Sequence, residues 1–148
     1  MTYELYSFEN KIPNKKILQM IDILTSFYGK KDENYDSWID MIKNTKDYFI
    51  LLGYNNNKLI GFINYMYKGK DLIISEVQIV SDYQNQKVLK NLLKEVILNQ
   101  TRECETVYGT INENNTKSKE VFKHIGFKHA ENKLYKMNYK DLYNYLVK

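Results

Sequence analysis

The sequence predicts an α/β (α+β) fold, in which a single mixed, mostly antiparallel sheet is flanked by helices. Three observations carry this expectation. Short apolar or alternating runs, bounded by Asn, Gly and Lys, read as strands, while other segments repeat their apolar residues at helical spacing. The two kinds follow one another as β-α-α-β-β-β-α-β-α-β-β with a short helical tail, which no all-α or all-β architecture accommodates. The length of 148 residues fits one domain, taken as 1–148, with no repeat, low-complexity stretch or linker.

The elements are justified in turn. "TYELYSF" (2–8) alternates as a strand does. Pro13 suits a first helical turn; Ile17, Met20, Ile21, Leu24 and Tyr28 follow at helical spacing until Gly29. A shorter helix is expected over 35–44, with Trp38, Ile39 and Ile42 on one face. "DYFILLGY" and "KLIGFINYMY" are apolar, aromatic runs joined by "NNNK"; Asn tolerates left-handed backbone, so the pair reads as a hairpin. "GKD" (69–71) turns the chain into "LIISEVQIV", completing an antiparallel meander.

The spacing then changes. Val88, Leu92 and Val96, with the parallel row Leu89, Leu93 and Ile97, predict a helix over roughly 86–100. "ETVYGTI" (105–111) is a strand. Ser118, Val121, Phe122 and Ile125 return to helical spacing, and Gly126 ends that helix before "FKHA". "KLYKMNY" is the last strand and "YKDLYNYLV" the tail helix.

Composition narrows the function classes. With 43% hydrophobic and 27% charged residues the chain is globular rather than disordered. A net charge of +4, scattered among acids without a basic run, argues against nucleic-acid binding. One cysteine, Cys104, excludes an internal disulfide and a multi-cysteine zinc site, and no metal is expected. Nothing reads as a signal peptide, and no apolar stretch approaches the roughly 20 residues that span a bilayer. The expectation is a soluble, cytoplasmic protein that binds no membrane.

The segment "IVSDYQNQKVLK" (79–90) joins a strand to a helix through a short polar loop. Such a junction presents backbone N–H groups and the positive end of a helix dipole, an arrangement suited to a phosphate. Phosphate loops usually need glycine, and this one has none. An ordinary β–α turn would look the same.

A second segment adds to it. "INENNTKSKEVFKHIGF" (111–127) again runs strand, polar loop, helix, then Gly-Phe into a strand. Together with "GFINYMY" and "EVQIVSDYQ", in that order and spacing, it resembles the GNAT superfamily of acyl-CoA-dependent N-acetyltransferases. The resemblance covers nearly the whole chain and is clearest from Phe49 to Tyr135. In that family a strand L-x-V-x-P-x-Y-R leads into the loop R/Q-x-x-G-x-G/A. Val77, Ile79 and Tyr83 match and Gln84 takes the R/Q place. Ser81 stands for Pro, Lys87 for the first Gly and Leu89 for the Gly/Ala. Of the later pattern V-x-x-x-N-x-x-A-x-x-x-Y-x-x-x-G-F, the positions are held by Ile111, Asn115, Ser118, Phe122, Gly126 and Phe127.

The resemblance implies acetyl-CoA as cosubstrate, its pyrophosphate on backbone amides of Gln84, Asn85, Gln86, Lys87, Val88, Leu89 and Lys90. A backbone nest needs no particular side chain, although a β-carbon at Lys87 or Leu89 crowds it. Val77, Ile79, Asn115, Ser118 and Phe122 complete the expected cofactor-binding set, Asn115 contacting CoA or positioning the amine. The implied reaction is transfer of an acetyl group to a primary amine of a small molecule or protein. It requires a held pair of reactants, a base and an oxyanion stabiliser. Glu76, a charge amid "LIIS" and "VQIV", is the candidate base; a solvent-facing strand Glu is the plain alternative. Phe122 occupies the place of the family's thiolate-protonating Tyr and has no proton to give; Tyr108 and Tyr135 are possible substitutes. His124 and His129 read as surface residues and Cys104 as structural. The alternative function is a catalytically impaired acyl-CoA-binding or interaction protein on the same fold. A homodimer is a further expectation of the resemblance.

Overall fold

The computed structural model describes residues 1–28, 35–84, 86–111 and 116–147. Its elements follow the expected order: β1 (Thr2–Tyr6), α1 (Asn14–Tyr28), α2 (Tyr35–Asn44), β2 (Tyr48–Asn55), β3 (Lys58–Lys68), β4 (Asp71–Ile79), α3 (Gln86–Leu98), β5 (Thr106–Thr110), α4 (Thr116–Ile125), β6 (Lys128–Glu131), β7 (Leu134–Asn138) and α5 (Tyr139–Val147). A single 3₁₀ turn, Ser81–Tyr83, lies between β4 and α3. The strands form one seven-stranded sheet in the order β1-β2-β3-β4-β5-β7-β6. Only β4 and β5 run parallel among these neighbours.

Local chemistry accounts for the turns. Asn55 pairs with Lys58, so the β2–β3 loop is Asn56-Asn57, and both carry positive φ (52° and 64°) as a type I′ hairpin demands. Gly69, at φ 62°, supplies the left-handed backbone of the β3–β4 turn. α4 ends where the N–H groups of Gly126 and Phe127 both donate to the Phe122 carbonyl, at 3.1 and 2.9 Å.

The sheet is buried on both faces. One face carries Leu51, Ile63, Leu72 and Ile74 against Leu89, Leu92, Leu93 and Val96 of α3 and Phe122 and Ile125 of α4. The other carries Tyr48, Ile50, Leu52 and Phe62 against Met20, Ile21 and Leu24 of α1 and Ile42 of α2. Period-2 side chains on β2 and β3 thus feed two separate cores.

A pair of glycines sets how closely α3 approaches. Gly53 and Gly61 lie opposite each other on β2 and β3. A β-carbon at Gly53 would fall 2.8 Å from Leu92 Cδ2, and one at Gly61 would fall 2.9 Å from the Gln78 carbonyl and 3.3 Å from Leu92 Cδ1. Leu92 therefore sits down onto bare backbone, and α3 with it.

Candidate active site

The sheet comes apart between its two parallel strands. β4 and β5 pair from Asp71↔Thr106 to Ile74↔Gly109 and no further. Beyond that point Glu76–Ile79 pair with β3, while Thr110 pairs with β7. The cause is visible in the register: Asn64 opposes Glu76 and Tyr65 opposes Ile74, so Ser75 is the extra residue of a β-bulge. A bulge bends its strand and raises the local twist, which carries the end of β4 away from β5.

Along this split β4 offers its backbone. The Val80 N–H donates to the Ile60 carbonyl at 2.9 Å, so it faces β3. Strand alternation then turns the N–H and C=O groups of Val77 and Ile79 the other way, toward the side β5 has left. The Ile79 carbonyl accepts from Gln84 Nε2 at 3.0 Å. Gln84 thereby ties the loop back to the strand lip. The Tyr83 hydroxyl accepts from Asn55 Nδ2 at 3.2 Å, a second tie, to the end of β2.

α3 starts directly after this loop, and its amino end lies at the carboxyl end of β4. The expected cofactor residues divide by what they present. Val88 and Leu89 bury their side chains in the core, so only their backbone can meet a ligand. Lys87 is exposed. Lys90 places its ammonium 5.1 Å from the Tyr145 ring centroid of α5, a cation–π contact that draws it toward the tail helix. Asn85 and Asn115 lie outside the described residues, as does the Gln86 side chain. Ser118 sits partly buried in the first turns of α4.

Phe122 marks the apex of the split. Its ring lies against Gly109, the last β5 residue paired with β4; a β-carbon there would meet Phe122 Cε1 at 3.5 Å. It also meets Phe127 edge-on at 5.0 Å. Tyr135, opposite Gly109 on β7, is buried in the same core and contacts the His129 ring at 5.2 Å. Tyr108 precedes Gly109 and so belongs to the other face, where it lines an open depression of about 850 Å³ with Ile73, Leu134 and Lys136. It does not stand where Phe122 stands. His124 is exposed, and His129 Nε2 lies 2.7 Å from the Asn132 carbonyl. Cys104 is partly buried, and burial pushes its thiol up while the Arg102 charge opposes this.

Glu76 lies on the α1–α2 face of β4, just past the bulge. It is not a plain solvent-facing residue. Burial pushes its carboxyl above the usual carboxylate range, against a lowering pull from Gln78, whose Nε2 donates to Glu76 Oε1 at 2.5 Å. Gln78 itself is buried. Around them lie groups the sequence did not flag. Tyr48 of β2 shares a hydrogen bond with Ser75 Oγ at 3.3 Å, and Ser75 Oγ donates to the Asn64 carbonyl at 3.2 Å. Burial, and less strongly the Glu76 charge, raise the Tyr48 hydroxyl, while Ser75, Asn64 and the Trp38 indole pull it down. The readable signal for Asn64 was its polarity within "LIGFINYMY", where an apolar strand side chain was due.

The arrangement can hold an extended thiol-bearing arm by backbone bonds along Val77 and Ile79, a phosphate at the α3 amino end, and a half-buried carboxylate beside the split. Among the described residues no group of three or more His, Cys, Asp or Glu side chains could hold a metal ion. No helix among them is long and apolar enough to cross a membrane.

Comparison with known proteins agrees with this geometry. A family model described as an acetyltransferase (GNAT) domain matches residues 18–142. No curated protein sequence matches the chain. Among solved structures, an acetyltransferase from Thermus thermophilus is similar at a TM-score of 0.76 and 14% identity, over 93% of this chain and 97% of that one. The PaiA N-acetyltransferase of Thermoplasma acidophilum, solved in complex with coenzyme A, is similar at 0.66 and 17% identity, over 93% and 98%. The ribosomal-protein-S18-alanine N-acetyltransferase of Escherichia coli is similar at 0.71 and 12%, over 93% and 94%.

Proposed function

The chain belongs to the GNAT acetyltransferase family, and we propose that it transfers an acetyl group from acetyl-CoA to a primary amine of a small molecule or protein. The observation that carries this reading is the split itself: unpaired β4 backbone beside a helix amino end, with Glu76 next to it. The acetyl-pantetheine arm lies along Val77 and Ile79, and the pyrophosphate sits at the backbone of residues 84–90. At the second glycine place a side chain is harmless because Leu89 turns into the core rather than at the ligand, while Lys87, at the first, is exposed.

Glu76 accepts a proton from the incoming ammonium, leaving a neutral amine. The nitrogen lone pair forms the C–N bond to the acetyl carbon as the C–S bond breaks. The proton shed by the nitrogen ends on the CoA thiol, and Glu76 returns its own to solvent. A raised carboxyl favours this role, since a base works best with a pKa close to the working pH. Phe122 cannot protonate the thiolate, and this one residue favours a second reading, a slow or inactive acyl-CoA binder. A missing general acid costs typically about 10²–10⁴-fold, so it slows the reaction without forbidding it.

Thermal unfolding with acetyl-CoA tests the binding. A ligand specific for the native state contributes about 2.7 kcal/mol at a hundred times its Kd. A clear rise in Tm is expected; an unmoved Tm at millimolar acetyl-CoA would refute the proposal.

A further inference from the structure

Asn64 is 0% exposed, and neither its Nδ2 nor its Oδ1 has a hydrogen-bond partner among the described residues. The Tyr48 hydroxyl is near enough to feel the amide but is engaged by Ser75 Oγ, and no donor–acceptor geometry to Asn64 is met. Buried side-chain amides almost always find partners, and an orphaned one costs stability that an apolar residue branched in the same way would not. Asn64 also stands directly opposite Glu76 in the register. Side chains facing each other across an antiparallel pair begin about 5 Å apart at Cβ, close enough for an amide and a carboxylate to meet directly. Gln78 holds Glu76 Oε1, so Oε2 is the oxygen left for a second donor.

We propose that Asn64 is a positioning residue for Glu76: its buried amide is the donor that engages the carboxylate oxygen Gln78 does not hold when Glu76 is ionised. Glu76 is thus gripped from its own strand and from the neighbouring one, which fixes its rotamer beside the split. This rests on the reading of Glu76 as the base for its catalytic meaning, but the contact itself does not. Around Glu76, β4 supplies Ser75 and Gln78, β3 supplies Asn64 and Phe62, and β2 supplies Tyr48, whose hydroxyl Trp38 of α2 approaches. Tyr48 is the titratable group among these and stays neutral while a carboxyl titrates.

The test reads Glu76 in the free protein, by NMR titration of ¹³C-labelled glutamate carboxyls, with Glu76→Gln assigning the resonance. A donor to the carboxylate lowers its pKa, so removing it raises the midpoint. Asn64→Leu is expected to move the Glu76 midpoint up by about half a unit to one unit, the size of one net hydrogen bond. The isosteric pair Asn64→Val and Asn64→Thr repeats the comparison with residues that suit a strand, and the threonine hydroxyl is expected to restore most of the shift. A midpoint unchanged or lowered in either apolar variant overturns the proposal, as does a threonine variant no different from valine. The reading of Glu76 as base fails separately, if Glu76→Gln acetylates amines as fast as the parent at neutral pH.

Discussion

Gly61→Ala isolates the strand lip from the rest of the fold. The new β-carbon would sit 2.9 Å from the Gln78 carbonyl oxygen and 3.2 Å from Ile79 Cγ1. An ordinary contact begins near 3.4 Å, so β4 must give by about 0.5 Å at the residues whose backbone lines the split. Such overpacking costs typically about 1–3 kcal/mol, offset by about 0.5–1 kcal/mol because Ala is less floppy than Gly when unfolded. A chain of 148 residues unfolds with an entropy of roughly 0.3 kcal/mol per degree, so a net 1–2 kcal/mol is a Tm loss of about 3–6 °C. Gly53→Ala is the control. Its shortest contact is tighter, 2.8 Å, but is to the Leu92 side chain rather than to β4 backbone. Differential scanning calorimetry and acetyl-CoA titration calorimetry on both variants should show comparable destabilisation. Only Gly61→Ala should weaken acetyl-CoA binding several-fold. Equal affinity in the two variants would refute the claim that β4 backbone near Val77 and Ile79 carries the cofactor.

Four further outcomes are expected. Glu76 has a raised carboxyl, so between the ordinary carboxylate pKa and its folded value the native state keeps a proton that the unfolded chain releases, and stability falls as pH rises through that window. Glu76→Gln should therefore be more stable than the parent at pH 7 and no more stable at pH 4 in urea melts, while losing more rate at neutral pH than at high pH; equal rate loss at every pH would mark a structural residue. Leu89→Gly should lose several kcal/mol, about 2–5 from the cavity and about 1 from helix propensity, and gain no acetyl-CoA affinity, because its side chain lies in the core; tighter binding in calorimetry would show the reverse. Lys87→Ala should weaken acetyl-CoA modestly, with a loss that grows at low salt, since screening hides exposed pairs; a salt-independent loss would mean the side chain acts otherwise. Phe122→Tyr should raise turnover at some expense of Tm, because a hydroxyl enters a buried aromatic contact; stopped-flow rates equal to the parent would leave Phe122 as packing alone.

The elements were legible because each is specified locally. Trp38, Ile39 and Ile42 carry their own helix, and "NNNK" carries its own turn because Asn accepts positive φ. The split between β4 and β5 was not, since it depends on where pairing stops and on one extra residue, Ser75, that fits no periodic pattern. Leu89 shows the same limit. Aligned to a glycine it reads as an obstruction, whereas the helix phase turns it inward with Leu92 and Leu93. Asn64 stands out in the sequence as a polar residue in an apolar run, but its place opposite Glu76 needed the register. Glu76 itself was legible, as a charge where an apolar residue was due, but its burial and its bond from Gln78 needed the fold.

The most direct measurement supplies acetyl-CoA labelled in the acetyl group, with a panel of primary amines and lysine-bearing peptides. It follows free CoA thiol and labelled amide together. Acetyl transfer predicts one thiol released for each amide formed, with both signals lost in Glu76→Gln at neutral pH. Saturable acetyl-CoA binding with no amide from any amine would contradict it, and would make the chain an acyl-CoA binder that keeps the family's fold without its reaction.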